Sequence, residues 1–328
     1  MGDTSLSATP TQPTPAATIP QVIDRSNAIS ITQAKKIELS TWELIHALEW
    51  SPDGEMLGVA AGGTISIYSP GDFVKLLTLN PGVWSPGIDF SPDGRLIAAG
   101  GRDGYLRIWD AHTGDLLMAF EAHKKGVNSV VFSPDGQHLA SGGNDAMARL
   151  WDVSTGEEWG RMIGGTYSIP AIAFTVDGKS LALANGDIIR LRDVTNQQFV
   201  STLRGDTSFY SLSLSPDGRT AAAGDTAGAL FIWELSNEST SHKFTTQPGE
   251  EEGVSTLVWE VAFTPDGSLI ASADGSGSIN IWDVRTGELL ITLPGHMLAA
   301  TAISFSPDGR TLASGGLDGA IYIWQASP

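Results

Sequence analysis

Short apolar runs alternate along this chain with clusters of Ser, Pro, Asp and Gly. One run, VNSVVF (127–132), ends in the turn SPDG, and a second, QHLASGG (137–143), follows it. A third run ends in Trp-Asp or a relative: RIWD (107–110), RLWD (149–152), FIWE (231–234), NIWD (280–283) and YIWQ (322–325). A fourth often follows Thr-Gly, as in TGDLLMAF (113–120), TGEEWGRM (155–162) and TGELLITL (286–293). Short apolar runs bounded by turn residues predict β-strands, and no stretch carries a helical signal. The turn has its own mechanism. Pro presets φ, Asp bonds its own backbone, and Gly accepts positive φ.

The turn recurs seven times, with its Asp at Asp53, Asp93, Asp135, Asp177, Asp217, Asp266 and Asp308. The intervals are 40, 42, 42, 40, 49 and 42 residues. A period in the forties marks one supersecondary unit per repeat. Four antiparallel strands in each of seven units predict an all-β fold, a seven-bladed β-propeller. The SPDG turns, the IWD strand ends and the step Gly295-His296 resemble the WD-repeat β-propeller family over residues 35–328. The uniform spelling of the repeats resembles bacterial members.

In the third unit His123, Ser141, Asp145 and Trp151 stand 18, 4 and 6 residues apart, and His296, Ser314, Asp318 and Trp324 keep the same intervals in the seventh. The resemblance implies a structural chain of hydrogen bonds, His to Asp, with Ser joining His to the indole. A nucleophilic triad draws on the same residue types. The stapling network is preferred, because the set sits inside a structural repeat and occurs twice. The other units lack the full set. Tyr68 and Arg192 stand where Trp is expected in the first and fourth, and Ala227 and Ser276 replace the turn Asp in the fifth and sixth. Those blades are expected to rest mainly on apolar packing.

The seventh unit has three strands before the chain reaches Pro328, whereas AKKIELST (34–41) precedes the first unit. The N-terminal segment is therefore expected to supply the outer strand of the last blade and close the ring. Residues 1–34, rich in Thr, Pro and Ala, read as a disordered tether ahead of a domain spanning 35–328. Deleting 1–42 is then expected to abolish folding, and deleting 1–30 to do little.

Charge and composition narrow the chemistry. The net charge is −18 with 19 Lys and Arg, which argues against nucleic acid or an anionic membrane as a direct ligand. There is no Cys, so neither a disulfide framework nor a thiolate zinc site is available. No apolar run approaches the length of a membrane span. DGKS (177–180) lacks the upstream Gly of a phosphate loop, NES (237–239) fits a glycosylation sequon, and GEEEG (249–253) lacks the spaced oxygen ligands of a calcium loop. No catalytic residue, metal or cofactor is assigned.

The partner site is read from geometry. Aligned on their turns, the units place His46, Pro86, Asn128, Pro170, Tyr210, Trp259 and Thr301 in one ring at the loop face. The resemblance implies partner contacts there. Tyr210 and Trp259 beside Glu250, Glu251 and Glu252 suit a basic peptide. The expected function is a non-enzymatic, monomeric scaffold for a protein or peptide. The alternative is a propeller that binds a small ligand or sugar, or performs catalysis, in its central channel; a ring with one His and no carboxylate weakens it. Two locations fit: the cytoplasm, or a surface lipoprotein whose signal and lipid-bearing Cys precede Met1.

Overall fold

The SPDG turns set the geometry of every unit. In the first, Ser51 Oγ donates to Asp53 Oδ1 (2.6 Å), Glu55 N–H donates to the same oxygen (2.9 Å), and Met56 N–H donates to Ser51 Oγ (2.9 Å). Gly54 takes φ +75°, which a side chain would resist. The hydroxyl-to-Asp bond recurs from Ser91, Ser133, Thr175, Ser215, Thr264 and Ser306. DGKS is thus the turn of the fourth unit. The Ser hydroxyls hold Asp53, Asp93, Asp135 and Asp217 below the usual carboxylate range.

The computed structural model describes residues 20–39, 43–236, 239–245 and 257–327. Asn237 and Glu250, Glu251 and Glu252 lie outside them. Among the described residues the strands form seven four-stranded antiparallel sheets. Blade 1 runs outward through Ile45–Trp50, Leu57–Ala61, Thr64–Tyr68 and Lys75–Leu79, and the later blades repeat that order. The inner strands of successive blades touch all the way round. That of blade 7 (Ala300–Phe305) meets that of blade 1, so the ring is closed. The seven-bladed propeller is the observed fold. No described helix is long and apolar enough to cross a membrane.

Burial explains the arrangement. Each sheet stands radially and packs both faces on its neighbours, so Leu57–Ala61 is buried at every position instead of alternating. The outer strand Lys75–Leu79 is mostly exposed. The apolar cores lie between blades: Ile45, Leu48, Ile321 and Ile323 join blades 7 and 1, and Leu106, Val127, Phe132 and Trp151 join blades 2 and 3. The axis is left open as a channel.

Residues Ile31–Glu38 form the outer strand of blade 7, antiparallel to Ala320–Ala326, with Ile31 opposite Ala326 and Glu38 opposite Ala320. The N-terminal strand completes the last blade, as its sequence position implied. The boundary drawn at residue 34 falls inside this strand, and packing continues upstream of it. Ile23 and Ala28 are fully buried, Ile23 N–H donates to Gly309 O (2.8 Å), and Arg25 pairs with Asp283 of blade 6 (3.0 Å). Residues 20–30 therefore strap blade 7 to blade 6, because an apolar Ile at 23 finds a gap between the two.

The polar network is assembled in blades 3 and 7. His123 Nδ1 lies 2.8 Å from Asp145 Oδ1 and Nε2 lies 2.8 Å from Ser141 Oγ, to which Trp151 Nε1–H donates (2.8 Å). The indole can only donate, so the Ser hydroxyl passes its proton toward Nε2, and Nδ1–H donates to Asp145. Arg149 Nη1 also donates to Asp145 (2.9 Å). His296, Asp318, Ser314 and Trp324 repeat the chain at 2.9 Å throughout. Ser141 is fully buried, which leaves it no route to a substrate. His123→Ala or Asp145→Ala is expected to lower stability by about 1–3 kcal/mol, read as a shift in the denaturation midpoint. Wild-type melting in both variants would remove the stapling role.

Blades 5 and 6 do not rest on apolar packing alone. Asp225 and Asp274, at the end of the second strand, are buried. Asp225 accepts from Ala227 N–H (2.9 Å), Ala229 N–H (2.7 Å) and Thr207 Oγ1 (2.6 Å). Asp274 accepts from Ser276 N–H (2.9 Å) and Asn280 Nδ2 (3.1 Å). The corresponding positions in blades 3 and 7 are Gly143 and Gly316, where a Cβ would lie 2.2 and 2.5 Å from the His ring. The imidazole and a side chain at that position exclude each other. In blades 5 and 6, where the His is missing, a carboxylate takes that volume and accepts hydrogen bonds there.

Candidate functional site

Each inner strand runs from the loop face toward its SPDG turn. The ring of His46, Pro86, Asn128, Pro170, Tyr210, Trp259 and Thr301 therefore lines the mouth of the central cavity, whose volume is about 1090 Å³. Tyr210 and Trp259 meet edge to face, 5.2 Å between centroids. Trp259 Nε1 is buried and has no hydrogen-bond partner among the described residues. His46 packs on Trp84 (4.5 Å), and burial followed by the nearby Arg102 charge lowers its pKa to about 4, so its ring is neutral. Asn128 Nδ2 donates to Asn144 Oδ1 (3.0 Å) and Ile169 O (3.2 Å). Thr301 is buried and donates to Ile45 O (2.7 Å), tying blade 7 to blade 1 rather than facing a partner. The three glutamates expected beside Trp259 lie outside the described residues.

Beyond that ring, Leu44, Trp84 and Arg102 also line the cavity. The Arg102 guanidinium lies 4.0 Å from the Trp84 ring centroid. Leu44, Trp84, Tyr167, Met297 and Leu298 are all exposed in the loops that lead into inner strands, Met297 by 72% and Tyr167 by 62%. A loop-by-loop tally of large apolar side chains would have found them.

Glu49 and Asp89 stand deeper in the cavity, and Glu260 lines it directly after Trp259. Asp89 Oδ2 accepts from Phe132 N–H (2.6 Å) and Glu260 Oε2 from Ile303 N–H (2.8 Å), each reaching the next blade. Burial pushes Asp89 up to about 7 and Glu260 up to about 8. Burial raises Glu49 well above the usual range, and the Asp89 and Glu260 charges add to it. The seven ring positions hold no carboxylate, as their alignment gave, but other positions of the inner strands bring three into the cavity. The available signal was an acid inside an otherwise apolar inner strand, as in HALEW and GIDF.

The WD domain, G-beta repeat family profile matches residues 82–110, 114–152, 197–234, 244–283 and 287–325. The inner three strands of blades 1 and 4 fall outside these matches, and there Tyr68 and Arg192 replace the Trp. Over 97 residues the chain is 35% identical to eukaryotic translation initiation factor 3 subunit I of Lodderomyces elongisporus, covering 24% of this chain and 28% of that protein. The closed seven-bladed ring and the matched repeats together place the chain in the WD domain, G-beta repeat family.

Proposed function

We propose that the chain is a non-enzymatic platform whose loop face binds a protein or peptide. One observation carries the reading: Leu44, Trp84 and Tyr210 expose apolar surface at the cavity mouth, and Tyr167, Met297 and Leu298 are exposed in other loops that lead into inner strands. Exposed apolar groups gathered on one face, with aromatic and Met side chains prominent, are what binding surfaces present. The relative's name makes that protein a subunit of a larger factor, which is consistent with a binding role. The bacterial reading rests on the uniform repeats alone, since this relative is eukaryotic.

Partners captured on the immobilised chain and identified by mass spectrometry supply the ligand for a titration. Replacing Trp84, Tyr210 and Trp259 together with Ala is expected to weaken binding by more than tenfold, since buried aromatic anchors are worth about 2 kcal/mol or more each. An unchanged affinity removes the loop face as the binding surface.

A further inference from the structure

We propose that the channel beneath the loop face receives the guanidinium or ammonium group of a partner's Arg or Lys side chain, held by Glu49, Asp89 and Glu260. The inference rests on the binding face argued above and names what that face admits.

The three carboxylates come from three blades, and among the described residues none makes an ion pair with Lys, Arg or His. Asp225 and Asp274 also lack an ion pair among these residues, but each accepts several hydrogen bonds within its own blade, whereas other acids carry a cation. Asp145 has Arg149 and His123, and Asp283 has Arg25. Acids set deep in a protein are ordinarily paired. Asp89 and Glu260 each take one backbone N–H, and a carboxylate offers about four acceptor sites, so both keep capacity toward the cavity.

The size of the missing cation follows from the spread of the acids. Among the described residues no three acidic or His side chains stand close enough to hold a metal ion. A guanidinium, with five N–H donors in a plane, or an ammonium on a flexible stem can reach separate acceptors. The path suits such a stem. Glu260 adjoins Trp259 at the mouth, while Glu49 and Asp89 lie three residues below His46 and Pro86, about 10 Å along the strands. The walls of this path include the Tyr210–Trp259 pair and the His46–Trp84 pair, and aromatic faces attract cations.

The mouth reads the opposite charge. Arg102, against Trp84, is a donor that lines the cavity. It calls for an acceptor next to the cation, such as a peptide carbonyl or an acidic neighbour. A peptide supplies one and a free polyamine does not. The titratable groups lining the cavity are His46, Glu49, Asp89, Arg102, Tyr210 and Glu260. His46 is neutral above pH about 4, and burial raises the Tyr210 phenol, so the carboxylates carry the charge change near neutrality. A cation entering the channel displaces their protons, and its affinity rises with pH.

Calorimetry on the full chain tests this with two probes, an acetylated and amidated Asp-Arg dipeptide and spermidine. The dipeptide is expected to bind about tenfold more tightly at pH about 8.5 than at about 6, with protons released to the buffer. Glu260→Gln and Asp89→Asn keep an acceptor for Ile303 and Phe132, and each is expected to cost about tenfold in affinity and to flatten the pH dependence. Spermidine binding as tightly as the dipeptide would overturn the peptide as source. No binding of either probe at about 10 mM, or binding indifferent to pH and to both variants, would overturn the cation site. A captured partner that needs Trp84 and Tyr210 but ignores Glu260→Gln would leave the binding face standing and overturn the channel inference alone.

Discussion

A chain truncated to begin at Glu43 is expected to show no cooperative unfolding transition and to collect in the insoluble fraction. The truncation removes Ile31–Glu38, whose pairing with Ala320–Ala326 completes blade 7. It exposes the backbone edge of Ala320–Ala326 and uncovers Tyr322 and Trp324, now at most 4% exposed. Blade 7 lies between blades 6 and 1, so its loss opens the apolar clusters on both sides. A folded domain holds only about 5–15 kcal/mol in reserve, which several unpaired strand bonds and two opened interfaces exceed. A chain beginning at Ile31 keeps the strand and loses the strap. It is expected to fold and to melt about 3–6 °C lower, chiefly through Ile23, whose full burial is worth about 1.5–3 kcal/mol. Deletion of residues 1–30 is therefore not the near-silent change that a disordered tether would make it. Circular dichroism melts of the two truncations decide between these outcomes. A cooperative melt of the shorter chain within a few degrees of the intact protein would show that the ring does not depend on its N-terminal strand.

Thermal stability is expected to fall as pH rises from about 5 to 9, opposite to the acid-limited behaviour of most proteins. Asp89 and Glu260 have folded pKa values raised to about 7 and about 8. A raised acid is protonated in the folded state where the unfolded chain has already lost its proton. Its contribution is fully present below the unfolded pKa and is lost as pH climbs through the folded one. A tenfold difference in proton affinity between the folded and unfolded chain corresponds to about 1.4 kcal/mol. The acids border an open channel whose water screens them, so the combined loss is set lower, at about 1–3 kcal/mol. The turn aspartates act in reverse. Ser hydroxyls depress Asp53, Asp93, Asp135 and Asp217, so their contribution is present above the unfolded pKa near 4 and is lost as pH falls below it. Together the two groups place the maximum between about pH 4.5 and 6. The double variant Asp89→Asn/Glu260→Gln is expected to flatten the alkaline limb and to melt above the wild type at pH about 8.5. Melting curves that stay level across this range in the wild type, or that the double variant leaves unaltered, would show that the channel acids carry no strain.

Much of the architecture was legible along the chain because its information is local. A turn of Ser, Asp and Gly acts within six residues, as Ser51, Asp53 and Met56 show. The spacing of His123, Ser141, Asp145 and Trp151 lies within one blade. A missing fourth strand at one end and a spare strand at the other required only counting. The mouth ring followed from the same alignment, because the ring position stands at one fixed spacing before the turn Asp in every unit.

The remainder depended on distances that no local pattern contains. Asp225 and Asp274 take over from an absent His because the imidazole and the second-strand side chain compete for one volume, visible only when both are placed. Ile23 fills a gap between blades 6 and 7 that exists only once the two are stacked. By itself the sequence determined the repeat, the turns, the blade count and the strand that closes the circle, since each follows from neighbouring residues and from period. Only the tertiary structure decided that Glu49, Asp89 and Glu260 share one channel. They belong to blades 1, 2 and 6, and the radius of the closed ring brings carboxylates up to 211 residues apart into mutual repulsion.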